Sequence, residues 1–97
     1  MTLKIDASNL VSRRYLMVES DGVKFCETSL AGGVRRFRFS EIVCILMSAD
    51  HTLSFQVGGE VFTLQTKAES QKHQTVIATL VDQVERAAPH RAIAHEG

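Results

Sequence analysis

The chain has 97 residues, of which 44% are hydrophobic and 23% charged, a composition that predicts one globular domain. Its formal net charge of +0 excludes a global field that would attract nucleic acid or an anionic membrane. No apolar run reaches the length of a signal peptide or of a membrane-spanning helix, so we expect a cytoplasmic protein.

The N-terminal third predicts a single strand followed by a hairpin. Apolar and polar residues alternate near the N-terminus, which indicates the first short strand. The segments 13–20 and 22–29 are rich in β-forming residues. The dipeptide Asp21-Gly22 between them is a strong signal for a two-residue turn. This turn would pair Val18 with Phe25 on the half-buried face of the hairpin.

A basic and aromatic strand over 34–40 is predicted next. A three-residue loop at 31–33 places Phe25 opposite Phe39, which keeps the apolar row on one face of the sheet. A register slip of one residue would turn that row outward. We therefore expect the phenylalanines of this strand, Phe37 and Phe39, to point inward and its alternate arginines to point outward.

Three further strands follow a corner at Ser40-Glu41. The segment 42–47 is continuously apolar, so we expect it to be covered on both faces and Val43 to point inward. A second hairpin signal, Gly58-Gly59, aligns Phe55 with Phe62 and places the intervening polar residues outside.

The only substantial predicted helix spans Thr66–Ala88. Its apolar face has the spacing of a helix of about 3.6 residues per turn. The residues of that face are Ile77, Leu80, Val81, Val84 and Ala88. Thr66-Lys67-Ala68-Glu69 fits a capping box, and Pro89 ends the helix. Residues 89–97 are predicted to be a polar tail.

Seven short strands followed by one helix predict a mainly β (α+β) fold. Because the connections are short, the sheet should be antiparallel, and a sheet of this length should bend on itself into a partly open barrel. The amphipathic C-terminal helix then caps the open end and buries its apolar face there. Each large aliphatic side chain buried in this way would contribute about 1.5–3 kcal/mol.

This order of elements resembles the pleckstrin-homology-like (PH-like) barrel. The stretch Arg35–Ile45 looks like the place in small bacterial members of that superfamily where a basic and aromatic strand meets a corner. The resemblance covers nearly the whole chain and implies one PH-like domain over 1–88. It also implies a module for binding or assembly that is not an enzyme.

A second, more local resemblance is to the PilZ domains, which bind cyclic dinucleotides. These domains carry spaced arginines followed by an Asp/Asn-x-Ser-x-x-Gly motif. Here Arg13-Arg14 precedes Glu27, Ser29 and Gly32, which stand at the motif positions. The alternative interpretation of the segment is a hairpin loop with two glycines.

The arginines, together with Lys24, form the one basic cluster of the sequence, and the predicted register places Arg36 and Arg38 on the outer face near Lys24. The candidate ligand-binding residues are Arg13, Arg14, Arg35, Arg36 and Arg38. Arginine side chains can hold phosphate groups in a bidentate manner, so the cluster could bind an anion such as a cyclic dinucleotide or a lipid headgroup. The alternative is a solvated sheet face whose charges are offset by nearby carboxylates.

Four apolar side chains are predicted to point away from the core. They are Tyr15, Met17, Cys44 and Leu46. An exposed apolar patch is typical of a protein interface or an oligomer contact, although a loop or the tail could instead cover it.

The remaining motifs predict neither catalysis nor cofactor binding. The four histidines, His51, His73, His90 and His95, lack metal-site spacing, and the two cysteines are expected to be free thiols. The leading hypothesis is a non-catalytic module with a protein partner or a second copy as its ligand. We expect no cofactor, no metal and no nucleic-acid partner, and we rank contact with a membrane surface below a protein partner.

Overall fold

The computed structural model describes residues 3–28 and 33–87. In chain order the strands are β1 (Leu3–Asp6), β2 (Arg14–Val18), β3 (Gly22–Glu27), β4 (Val34–Arg38), β5 (Ile42–Met47), β6 (Thr52–Val57) and β7 (Glu60–Gln65). A short 3-10 turn, Phe39–Glu41, joins β4 to β5, and the helix α1 spans Gln71–Ala87.

The strands form two antiparallel sheets. The first sheet has the order β1-β2-β3-β4, and the second has the order β5-β6-β7. The prediction of a mainly β, antiparallel fold with one C-terminal helix is therefore confirmed. The sheets do not close into a barrel, and the chain passes from one to the other through the predicted corner, which is the 3-10 turn.

The β6–β7 hairpin has the predicted register. Phe55 lies opposite Phe62 and Leu53 opposite Leu64, with Gly58-Gly59 forming the turn. Gly58 has a φ of 59°, a conformation that glycine adopts without steric cost. The two-residue turn and the strict alternation leave this hairpin no competing register.

The β2–β3 hairpin exists, but its predicted register is wrong by two residues. Val18 pairs with Val23, and Leu16 takes the place opposite Phe25. The turn moves by one residue to Ser20-Asp21, because Gly22 belongs to strand β3 and its carbonyl oxygen accepts a hydrogen bond of 2.8 Å from the Glu19 N–H. A Cβ atom on Gly22 would lie 2.1 Å from the carbonyl oxygen of Phe37, so β4 can approach β3 only at a glycine.

The predicted β3–β4 register is wrong by four residues. Phe25 faces Arg35 instead of Phe39, and Val23 faces Phe37. The connection from Cys26 to Val34 is longer than the predicted loop, and Phe39 leaves the strand to enter the 3-10 turn. Because the shift is an even number of residues, the faces are preserved.

The helix begins later than predicted. The Thr66 hydroxyl does not cap it, because this group donates a hydrogen bond of 2.7 Å to the carbonyl oxygen of His51. Instead, the Ser70 hydroxyl accepts a hydrogen bond of 3.2 Å from the backbone N–H of His73, as an N-cap residue does. The capping-box prediction is therefore wrong.

The buried face of α1 is rotated slightly from the predicted one. Val76 and Leu80 are fully buried and Val84 nearly so, whereas Ile77 and Val81 are only partly buried. Ala88 lies outside the described residues. Sequence spacing placed Ile77 on this face and omitted Val76, which is the fully buried residue.

Both sheets and α1 share one core. Phe25 and Phe37 from the first sheet meet Phe55 and Phe62 from the second, with ring centroids 5.1–6.0 Å apart. Leu80 packs into the same cluster from the helix. The predicted role of the helix, to bury its apolar side chains against the strands, is confirmed.

Strand β5 is not covered on both faces. Val43 is 51% exposed and Leu46 is 64% exposed, so the predicted double coverage and the inward position of Val43 are both wrong. The β5–β6 register shifts between Ile42 and Cys44, which removes Val43 from the regular alternation.

Candidate functional site

The outer face of the first sheet carries a row of cations. The row runs straight across all four strands and contains three cations and one methionine. Its members are Lys4, Met17, Lys24 and Arg36, each the cross-strand partner of the next. We call this surface the cationic face. Within residues 3–28 and 33–87, no carboxylate lies within ion-pair distance of Lys24 or Arg36.

Tyr15 lies beside this row. Its ring is covered by Lys4 and Lys24 from the row and by Arg13, which precedes β2. The Lys4 ammonium is 4.4 Å from the centroid of the Tyr15 ring. The Arg13 guanidinium is 5.8 Å away and the Lys24 ammonium 5.9 Å. An aromatic face attracts cations, so the ring holds three of them over one small area. Tyr15 itself is only 7% exposed.

Two of the five predicted ligand arginines are neutralised. Arg14 forms an ion pair with Glu27, its direct cross-strand partner. Arg35 donates hydrogen bonds of 3.0 and 3.1 Å to both carboxylate oxygens of Glu60. The structure therefore does not bring the five arginines together.

The Arg35–Glu60 pair bridges the two sheets. The guanidinium of Arg35 also lies 5.3 Å from the centroid of Phe37 and 5.2 Å from that of Phe62. The hydrogen bonds from Arg35 lower the pKa of Glu60, and those same bonds raise the pKa of Arg35. Both side chains are largely solvated, so this contact closes the rim of the core and does not form a buried ion pair.

The other three predicted arginines stay near the cationic face. Arg36 belongs to its row, while Arg38 follows two residues later on the same side of β4. Arg13 precedes β2 and reaches Tyr15. Arg36 and Arg38 also line a surface cleft of about 270 Å³, whose rim carries the carboxylates of Glu19, Asp21 and Glu41. Those carboxylates oppose the binding of an anion inside the cleft.

The outer face of the second sheet is uncharged. Its outward positions are Cys44, Leu46, Thr52, Ser54, Gln56, Val61, Thr63 and Gln65. We call this surface the neutral face. Leu46 is 64% exposed and Val61 is 62% exposed. Together with Cys44 they line a shallow depression of about 40 Å³.

The predicted interface residues are divided between the two faces. Tyr15 and Met17 lie on the cationic face, where Tyr15 is buried and Met17 partly buried. Cys44 and Leu46 lie on the neutral face. Their role as an interface stays a prediction, but they do not form one patch.

The PilZ-like motif is only partly described. Glu27, at its acidic position, pairs with Arg14. Ser29 and Gly32 lie outside the described residues. The ion pair between Arg14 and Glu27 links strand β2 to strand β3. Glu27 therefore neutralises Arg14, one of the two arginines of the PilZ-like pattern.

The described histidines have structural contacts. His73 Nδ1 accepts a hydrogen bond of 3.0 Å from the backbone N–H of Lys67, and burial lowers the pKa of His73, as do Lys67 and Lys72. In the described ranges, no three His, Cys, Asp or Glu side chains come close enough to hold a metal ion. His90 and His95 lie outside those ranges.

Sequence reasoning placed Arg36 near Lys24 on the outer face but missed that the two are direct cross-strand partners, which follows only from the observed β3–β4 register. It also missed Val61, although the predicted β6–β7 register already places that residue outward, opposite Gln56. The signal for Val61 was therefore present in the sequence.

The chain matches no known family, no characterised protein and no solved structure. In the part of the chain that the structure describes, no helix combines the length and the apolarity needed to cross a bilayer.

Proposed function

We propose that this chain is a non-catalytic binding module that associates with a second copy of itself through the neutral face. The observation that supports this proposal is the exposure of Leu46 and Val61 at one shallow depression of a sheet face without charge. Large aliphatic side chains on such a face gain free energy when a partner removes them from water.

A second copy fits this surface better than an unrelated partner because the face is complementary to itself. Its outward positions hold no charged side chain, so two copies meet without electrostatic repulsion. A two-fold arrangement uses the same patch on both copies, so every exposed apolar side chain of the patch is buried twice in one interface. Ser54 and Thr63 supply hydroxyl groups that can donate and accept across such a contact.

The ionisable groups with shifted pKa values are scattered over the structure, which favours binding over catalysis. The pKa values of Asp6 and Asp50 are lowered by hydrogen bonds within their own turns. The pKa shifts of Arg35 and Glu60 arise from their mutual contact, and the pKa of His73 is lowered by burial and by Lys67 and Lys72. These groups lie at separate structural sites, whereas catalytic groups converge on one cleft.

Membership of the PH-like superfamily is part of the same proposal. It is supported by the order of a four-stranded meander, a three-stranded meander and a closing helix. Domains of this architecture can carry many functions, so the proposal of self-association rests on the neutral face and not on the fold.

Sedimentation equilibrium from micromolar to high micromolar concentration tests the self-association. We expect a dimer mass for the natural chain and a monomer mass for Leu46→Lys, because a buried ammonium without a partner opposes the contact. The matched control is Val34→Lys, which places the same new charge on an exposed valine of the first sheet. This control should remain dimeric.

Two outcomes would contradict the proposal. A monomer mass for the natural chain at every concentration would exclude self-association. Equal dissociation by Leu46→Lys and Val34→Lys would show that the neutral face is not the contact. Circular dichroism of both variants checks that each retains the fold.

A further inference from the structure

The cationic face carries a charge arrangement that the fold does not require. Lys24 and Arg36 are direct cross-strand partners, and Lys4 stands on the same row two strands away. Like charges placed opposite each other in a ladder destabilise the sheet. By contrast, Arg14 and Arg35 each have a carboxylate partner.

The Tyr15 ring positions two of the three cations of the row. The Tyr15 ring holds the Lys4 ammonium at 4.4 Å and the Lys24 ammonium at 5.9 Å. Lys4 also contacts Asp6 at 3.8 Å, which limits its movement on one side. Cations that are positioned before a ligand arrives lose less side-chain entropy on binding.

The length of the row selects a linear ligand. Neighbouring strands lie about 4.8 Å apart, so Lys4 and Arg36 are separated by about 14 Å across three strand spacings. A single phosphate group cannot contact both ends. Met17 lies between Lys4 and Lys24 and offers an apolar contact within the row.

We propose that the cationic face binds an extended acidic segment of another protein, with carboxylates on Lys4, Lys24 and Arg36 and an apolar side chain on Met17. This site is on the opposite sheet from the neutral face and does not depend on self-association. It differs from the set of five predicted ligand arginines because it retains only Arg36 of that set and adds Lys4, Met17 and Lys24.

The surroundings of the row favour a narrow peptide over a broad anionic surface. Asp6 flanks the row on one side, and Glu19, Asp21 and Glu41 flank the cleft beside Arg36. A flat membrane would bring its phosphates against these carboxylates as well as against the cations. A peptide that runs across the strands along the row meets the three cations and, of these carboxylates, approaches only Asp6 beside Lys4.

Isothermal titration calorimetry with a synthetic peptide tests this site. The probe is a blocked peptide in which glutamates flank a leucine, and its control replaces every glutamate with glutamine. We expect binding of the acidic peptide alone, and we expect added salt to weaken that binding. The double variant Lys24→Gln/Arg36→Gln should raise the dissociation constant by about tenfold or more.

The matched control variant is Arg86→Gln, which removes one cation from α1, far along the chain from the row. Arg86→Gln should change the dissociation constant by less than about twofold. Lys24→Gln/Arg36→Gln should not lower the melting temperature, because the two like charges are direct cross-strand partners and neither has an ion-pair partner among the described residues.

Several results would overturn the proposal. They are the absence of peptide binding by the natural chain, unchanged binding by the double variant, and an equal loss with Arg86→Gln. Vesicles of mixed phosphatidylcholine and phosphatidylglycerol, and a single-stranded oligonucleotide, are titrated in the same buffer. Tighter binding to either of these than to the peptide would assign the face to lipid or nucleic acid instead.

Discussion

The first sheet displays Lys4, Lys24 and Arg36 in one row on its outer face, whereas the outward positions of the second sheet carry no charge. Their inner faces, in contrast, contribute to the same phenylalanine cluster. Burial restricts the inner faces of both sheets to apolar residues, but the outer faces are free to differ. This difference is the reason that we propose a different ligand for each outer face.

The largest effect is expected where the helix supports both sheets. Leu80→Ala removes a fully buried side chain from the common core and should lower the free energy of unfolding by about 2–5 kcal/mol. Chemical denaturation followed by circular dichroism measures this change. The matched control, Ile77→Ala, lies one turn earlier on a partly buried position and should cost less. Equal costs would show that the sequence-based face was correct.

A smaller effect is expected from a change confined to the first sheet. Gly22→Ala places a Cβ atom against the Phe37 carbonyl and should lower the free energy of unfolding by about 1–3 kcal/mol. Gly59→Ala, in the second sheet, meets no atom within 4 Å and should change it by less than about 0.5 kcal/mol. Similar values for the two variants would contradict the close approach of β3 and β4.

The smallest effect concerns the contact between the sheets and depends on pH. The pKa of Glu60 in the folded state lies below the ordinary carboxyl value of 4.5 because Arg35 donates hydrogen bonds to it. A folded pKa below the unfolded one means that the stabilisation is complete above 4.5 and is lost as the pH falls through the folded value.

Glu60→Gln should therefore lower the free energy of unfolding at neutral pH. It should also make that free energy fall less steeply as the pH is lowered below 4.5. Denaturation midpoints between about pH 7 and pH 3 measure both changes. The matched control is Glu85→Gln on α1, a carboxylate for which no ion pair is found in the described ranges. If the denaturation midpoints of the natural chain and of Glu60→Gln fell identically between neutral and acid pH, the Arg35–Glu60 contact would not contribute to stability.

The sequence predicted the register best where the turn left one choice. Gly58-Gly59 with strict alternation fixed β6 against β7, and the structure agrees. The β2–β3 and β3–β4 registers shifted by two and four residues, because Gly22 serves a strand contact and Phe39 leaves its strand. Even shifts conserve the buried face, so the core was predictable although the pairs were not.

The candidate sites depended on those pairs. The predicted register placed Lys24 opposite Ser40 and only near Arg36, so it did not give the direct pair or the straight row through Met17 to Lys4. The Arg35–Glu60 contact joins residues 25 positions apart on different sheets, and no local pattern signals it. The start of α1 was missed because a hydroxyl suited to capping, that of Thr66, bonds the His51 carbonyl instead.

Tyr15 is an intrinsic fluorescence probe of the outer face of the first sheet. The chain has one tyrosine and no tryptophan, so its near-ultraviolet emission comes from a single phenol ring. That ring lies under the ammonium of Lys4, beside the row of cations. Any ligand that displaces those cations changes the surroundings of the only emitting ring, whereas events on the second sheet leave it in place. Emission from the unlabelled chain therefore distinguishes occupancy of one sheet from occupancy of the other.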